Sequence, residues 1–436
     1  MPTAVYIDRE YLPAIGTEAI EKYLDLNTGR IVRLKKVEIG EITQTTAEMD
    51  RRKYGADSTI RTKVSMLVDE DIPGRLFRGM KKFLGSDAIR RFSVFKKNIK
   101  TEALLTPVYR DVYSKISEYL GKSNPSVHIG RPVRFDGEGT GANKIALHRM
   151  NSICRHSDIG AFDFYPEPVA AALSYLHFHD DHASRRFLIF DFGGGTLDLC
   201  LVTRGKEGFT VEGTAGLPIA GDKIDQLIYE EKIFPEIGKE TKLVIRHENG
   251  KGEYHFPFDE FSDHLLNWQS TSYLNQPRFH EIIKQGIKAG GETRKKVSRL
   301  LKIIRRNASY RILKTIEEAK IELTGKGSTE INIPDLDIHV ELTEKEFEKL
   351  LTPILNRIDE TITALLDDAE ILFGDVDKVI CTGGSSQIPA IQKFLHSRFR
   401  GQVKNYDNFT GTASGLAVAN YYGYTYSGIQ HPNLKP

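Results

Sequence analysis

Five short apolar runs punctuate the chain, at residues 126–129, 160–165, 187–192, 197–202 and 378–382. Each has the length and composition of a buried strand. Residues 328–338 alternate apolar and polar positions, which predicts an outer strand or hairpin. Helical spacing fills the gaps, and strands alternating with helices make an α/β pattern. The clearest helix opens at Thr343, whose spacing to Glu346 predicts a capping box. Phe347, Leu350, Leu351, Ile354, Leu355, Ile358, Ile362, Leu365 and Leu366 then recur at helical spacing, a core-facing stripe that leads into the strand at Val379. Residues 226–312 are more polar, with a Gly-Lys-Gly turn expected at 250–252. A basic stretch, 294–306, interleaves with Val297, Leu300, Leu301, Ile303 and Ile304. That spacing reads as a solvated helix face rather than a nucleic-acid surface.

Between two of the strand runs stands Phe190-Asp191-Phe192-Gly193-Gly194-Gly195-Thr196-Leu197-Asp198. Three consecutive glycines weaken a hairpin unless something must approach the backbone closely. Successive backbone N–H groups in such a turn form a concavity for anions. The flanking aspartates suit Mg²⁺ held through its waters. A second segment, Cys381-Thr382-Gly383-Gly384-Ser385-Ser386-Gln387-Ile388-Pro389, joins a strand to a helix whose N-terminus favours a phosphate or ribose oxygen; a plain tight turn reads it equally well. In a third, Tyr165-Pro166-Glu167-Pro168-Val169-Ala170-Ala171-Ala172, two prolines restrict the backbone around a glutamate before a closely packing helix. Glu167 is suited to act on a ligand there, or simply to complement the helix dipole. The sequence has no GxxxxGK[ST]; the imitation at residues 137–144 has the wrong spacing and reads as a flexible loop.

The 436 residues suffice for two lobes or two to three domains. Hydrophobic residues make up 40% and charged residues 28%, as in a soluble globular protein. A net charge of +2 argues for neither a nucleic-acid nor a membrane partner. No apolar run predicts a signal peptide or a membrane-spanning helix. Cys154, Cys200 and Cys381 lie far apart without zinc spacing, which predicts a reduced, cytoplasmic setting. The histidines and aspartates at 177–182 read as a solvated loop rather than a metal site.

In order, EPVAAAL, DFGGGTLD and GGSSQIP resemble the connecting, phosphate and adenosine motifs of the seventy-kilodalton heat-shock chaperones (DnaK type), within the actin-like ATPase superfamily. Residues 316–324 resemble the family's adenine-contacting helix, and residues 216–222 its third glycine segment. Gly130-Arg131-Pro132-Val133-Arg134-Phe135 and the long 226–312 segment resemble the YegD-like branch. The resemblance covers nearly the whole chain. It implies an α/β, actin-like ATPase fold of two lobes, each a mixed sheet flanked by helices. Lobe I would span 1–183 and lobe II 184–436, with 221–329 as an inserted nucleotide-contacting subdomain. It also implies ATP and Mg²⁺ as cofactors. Asp191 and Asp198 would hold the waters of Mg²⁺, Glu167 would be a further partner, and Lys81 would steady the attacking water and γ-phosphate. Gly193, Gly194, Gly195 and Thr196 would cradle phosphates. Gly221, Glu317, Lys320, Thr324, Gly383, Gly384 and Ser385 would hold the nucleoside.

The sequence departs from the family in several places. The family's first phosphate loop, DxGTT, is not found, and residues 1–8 resemble the segment just after it. The expectation is a lobe I without its first strands, a longer native product, and hydrolysis impaired in the chain as given. Gln387 stands where the family usually has an adenine-stacking arginine, so weaker adenine affinity is expected. No peptide-binding domain is expected, so direct peptide clamping is not. The reading is therefore an ATP-binding, at most weakly ATP-hydrolysing, chaperone-like nucleotide switch that binds ATP and ADP, with a protein partner or co-chaperone. The alternatives are a filament-forming protein of the MreB or ParM kind, a sugar kinase, or a non-catalytic nucleotide-binding module.

Overall fold

Strands and helices alternate one by one over residues 101–178 and 344–422, and elsewhere come in runs. The computed structural model describes residues 2–46, 58–135, 141–179, 181, 183–206, 208–247, 250–323, 325–406 and 410–424. The chain begins with β1 (Ala4–Asp8), β2 (Pro13–Ile15), α1 (Gly16–Asn27), β3 (Leu34–Thr46), β4 (Ser58–Asp69), β5 (Gly74–Arg78), β6 (Arg91–Val94) and β7 (Lys97–Lys100). It continues through α2 (Thr101–Leu120), β8 (Val127–Arg131), α3 (Ala142–His156), β9 (Phe162–Pro166) and α4 (Glu167–Phe178). Next come β10 (Arg186–Phe192), β11 (Leu197–Gly205), β12 (Gly208–Leu217), α5 (Gly221–Ile228), β13 (Lys242–His247), β14 (Gly250–His255) and α6 (Asp259–Leu266). Helices α7 (Pro277–Lys288), α8 (Gly291–Arg306) and α9 (Ser309–Leu323) lead to the hairpin β15 (Ser328–Ile333) and β16 (Ile338–Thr343). The described chain ends with α10 (Glu344–Asp368), β17 (Lys378–Thr382), α11 (Pro389–Arg398), β18 (Val403–Asn405) and α12 (Gly411–Tyr422). This mixed α/β architecture, with several mixed sheets and flanking helices, is consistent with the actin-like ATPase fold.

A five-stranded sheet in the order β12-β11-β10-β17-β18 organises the second half. Strands β10, β12, β17 and β18 run in one direction, and β11, between β12 and β10, runs antiparallel to both. Both faces are buried, so β10 reads as a continuous apolar run. Its side chains alternate between two cores. Phe187 and Ile189 join Cys200, Val202 and the alanines of α4, whereas Leu188, Phe190 and Phe192 pack with Ile358, Ile362 and Leu365 of α10. Near the N-terminus the order is β2-β1-β5, and β8 pairs in parallel with β9.

The capping box forms as expected: Glu346 N–H donates to Thr343 Oγ1 at 3.3 Å and Thr343 N–H to Glu346 Oε2 at 3.0 Å. The basic stretch lies within α8. Its Arg299 is buried, and it donates to Glu236 Oε2 at 2.6 Å and to the Leu336 carbonyl at 2.9 Å. One expectation fails. Residues 250–252 are not a turn but the first residues of β14, paired with residues 245–247. The glycines suggested a bend, but the ladder with β13 keeps them extended. Of the loop expected at 137–144, residues 137–140 lie outside the described residues and Ala142 already opens α3. In the 177–182 group, residues 180 and 182 lie outside the described residues. Among the described residues no helix is long and apolar enough to cross a membrane.

Main-chain bonds tie the segment after α1 to the α6–α9 region. Gly29 N–H donates to the Arg305 carbonyl at 2.7 Å, and Val32 N–H to the Asn275 carbonyl at 2.9 Å. Asn275 Nδ2 returns a bond to the Arg30 carbonyl at 2.8 Å. Trp268 packs edge-on against Tyr23 of α1, and the Arg78 guanidinium lies 5.1 Å from its ring centre.

Helices α4 and α12 cross at Gly415, where a Cβ would lie 1.8 Å from the Ala170 carbonyl oxygen. Gly374 has open space around it. Gly415→Ala should therefore lower unfolding stability by more than about 2 kcal/mol, while Gly374→Ala stays within about 0.5 kcal/mol of the parent. Urea unfolding of both variants checks this, and equal stabilities would show that the crossing can relax.

Candidate functional site

Strand parity builds the site. Phe187 and Ile189 of β10 face α4, so Asp191 continues that row. Val202 and Cys200 form the matching row on β11, and it ends at Asp198, directly opposite Asp191. On β17, Thr382 is the neighbour of Asp191. Helix α4 lies over this face, with Glu167 as its first residue. Pro166 caps it in extended conformation and Pro168 sits in its first turn, where no N–H is needed. Glu167, Asp191, Thr196, Asp198 and Thr382 consequently line one cavity of about 620 Å³.

The turn after β10 is held locally. Gly193 N–H donates to the Thr196 carbonyl at 3.2 Å, and the Thr196 hydroxyl donates to Asp198 Oδ2 at 2.7 Å. The Gly193 carbonyl accepts bonds from Gly221 N–H at 3.1 Å and Ser385 Oγ at 2.7 Å. Asp222 N–H donates to the Gly194 carbonyl at 2.6 Å. Gly194 and Gly195 are exposed at the tip. Gly383 has φ +79°, and a Cβ there would lie 2.5 Å from the Phe192 carbonyl oxygen. Only glycine satisfies both constraints. Gly384 then opens the short turn Gly384–Gln387 ahead of α11.

Lys81, in the short turn Met80–Phe83, makes an ion pair with Glu167 at the cavity edge. Glu317 and Lys320 stand on α9. Glu317 accepts a bond from Lys314 at 2.7 Å. The Lys320 ammonium is buried against Asp225 Oδ1 at 2.7 Å. Both α9 groups act on the charge of Asp222, whose carboxyl burial raises above the usual range. Thr324 lies outside the described residues.

The predicted residues thus fall into two neighbourhoods. One is the acidic cavity with Lys81 at its edge. The other is the junction of Gly193, Gly194, Gly221, Gly383 and Ser385, which reaches Glu317 and Lys320 through Asp222. The second group does not line the cavity. Sequence reasoning missed Asp222, Asp225, Thr382 and Arg78 as members of this region. The spacing of Asp222 and Asp225, three apart on α5, was the available signal.

Burial pushes the Asp191 carboxyl up to about 6; Asp198 and Glu167 push the same way, while Thr382 and Lys81 oppose. Burial likewise raises Asp225 to about 6, although Lys320 pulls against it. Carboxylates gathered at one cavity suit a divalent cation. Among the described residues no three His, Cys, Asp or Glu side chains converge closely enough to ligate a metal directly.

The sequence model of the family described as "Hsp70 protein" matches residues 164–251 and 293–418. These segments contain Glu167, both aspartates, the glycine turns and the α9 residues; Lys81 lies outside them. The chain is 27% identical over 308 residues to "Chaperone protein dnaK" of Guillardia theta, covering 69% of this chain and 39% of that protein. It is 26% identical over 367 residues to "Chaperone protein dnaK" of Gracilaria tenuistipitata var. liui, covering 82% of this chain and 48% of that protein. The chain therefore spans less than half the length of either relative. Together, the matched segments and these relatives support the Hsp70 family for this chain.

Proposed function

We propose that the chain is a Mg²⁺-dependent ATP-binding nucleotide switch of the DnaK/YegD type, with weak hydrolysis at most. The observation that carries this reading is Asp191 and Asp198 facing each other across the Gly193–Thr196 turn, with Glu167 in the same cavity. Bound Mg²⁺ would neutralise the crowded carboxylates and the phosphates. Asp191 and Asp198 hold the waters of that cation, Glu167 supports them, and Lys81 steadies the attacking water. The glycine turn offers its backbone to the phosphates, and Gly221, Glu317, Lys320 and the Gly383–Ser385 segment hold the nucleoside. Positioning and charge dominate such chemistry, so a displaced group costs rate steeply. ATP bridges residues 1–183 and 184–436 and favours their closure. A co-chaperone or other protein partner and a cytoplasmic location complete the proposal, the latter motivated by three separate buried thiols.

Mg²⁺-ATP at about 100 times its dissociation constant should raise the melting temperature by roughly 2–4 °C. The same titration of Asp191→Ala should leave the melt unmoved. A parent melt indifferent to Mg²⁺-ATP would sink the ATP reading.

The raised Asp191 pKa sets a second expectation. Its folded value exceeds its unfolded value, so ionisation in the folded state costs stability as pH rises from about 4 through about 6. Asp191→Asn should therefore be more stable than the parent above pH 6, by up to about 2 kcal/mol, with no such gain near pH 4. Ligand-free melts at both pH values check it; an equal effect at both would point to lost packing instead.

A further inference from the structure

We propose that Arg134 is a built-in contact for the terminal phosphate of bound ATP, an inference that rests on the ATP reading above. Among the described residues lining the acidic cavity, Arg134 is the one Lys, Arg or His. Lys81 is already paired with Glu167 at the cavity edge. Arg134 is exposed to the cavity and forms no ion pair with a described residue.

The backbone around it is clamped from both sides. The Arg131 guanidinium donates to the carbonyls of Pro132 at 3.1 Å and Val133 at 3.4 Å. Asn143 Oδ1 accepts from Phe135 N–H at 2.8 Å, and Asn143 Nδ2 donates to the Val133 carbonyl at 3.4 Å. Val133 is buried in the core beneath α4, and Phe135 in the core of α2 and α3. Pro132 restricts φ just before this stretch. Arg134 is therefore the one side chain of the segment 132–135 that carries charge, and its backbone is fixed before any ligand arrives.

Charge balance gives that arginine its role. The cavity presents three carboxylates, and a triphosphate brings more negative charge than a divalent cation cancels. A guanidinium offers a planar fork of donors that matches phosphate oxygens, and holding the backbone that carries it reduces part of the ordering cost on binding. Diphosphate lacks the group it would reach.

Calorimetric titration of the full chain with Mg²⁺-ATP and Mg²⁺-ADP, at fixed salt, tests the proposal. Arg134→Ala should weaken Mg²⁺-ATP by about tenfold or more and Mg²⁺-ADP by less than about threefold. Arg134→Lys should recover part of the loss. Ligand-free melts establish that each variant folds. Should Arg134→Ala fail to melt cooperatively, Arg134→Gln is read by the same criterion. Equal weakening of both nucleotides, or none, overturns the inference while the ATP reading stands. A parent chain that binds neither nucleotide removes both.

Discussion

The registry of β10 against β11 is the constraint on which the site depends. Strand side chains repeat every two residues, so the partnering of Phe187 with Val202 and Ile189 with Cys200 obliges Asp191 to meet Asp198 on the α4 face. A slip of β10 by one residue would turn Asp191 toward α10 and drive apolar side chains toward the cavity. The two cores that sandwich this sheet oppose such a slip. Carboxylate placement is therefore a by-product of hydrophobic packing on both faces, and needs no local device beyond the glycine turn.

Electrostatics in the region follow from the same burial. Asp191 and Asp225 are both raised to about 6 by desolvation, yet their surroundings differ. Asp225 has the Lys320 ammonium against it, whereas Asp191 has two further carboxylates, opposed by Thr382 and Lys81. One is a satisfied pair joining α5 to α9; the other is an unbalanced group beside open space. That contrast separates a structural carboxylate from one suited to a charged ligand.

Much of this was legible in the sequence because its signals are local. The buried strands, the Thr343–Glu346 capping box and the glycine turns depend on residues near one another. The Gly383 position combines a left-handed φ with contact on Phe192, and its strand-to-helix setting announced that. What stayed hidden depends on chain segments far apart. Nothing local connects Asp225 with Lys320, or places Arg134 in the cavity of Asp191. The 250–252 glycines misled for the same reason, since an antiparallel partner holds extended what the sequence alone would bend.

The crossing of α4 and α12 acts as a rigid linkage. At Gly415 the two backbones meet with no side chain between them to deform. The next residue, Leu416, reaches the space beside Gly130, which Glu167 also occupies. Helix α12 thus reaches the neighbourhood of Glu167, the first residue of α4 and one of the three acidic groups of the cavity. Packing of α12 against α4 therefore sets the backbone separation on which the position of Glu167 depends.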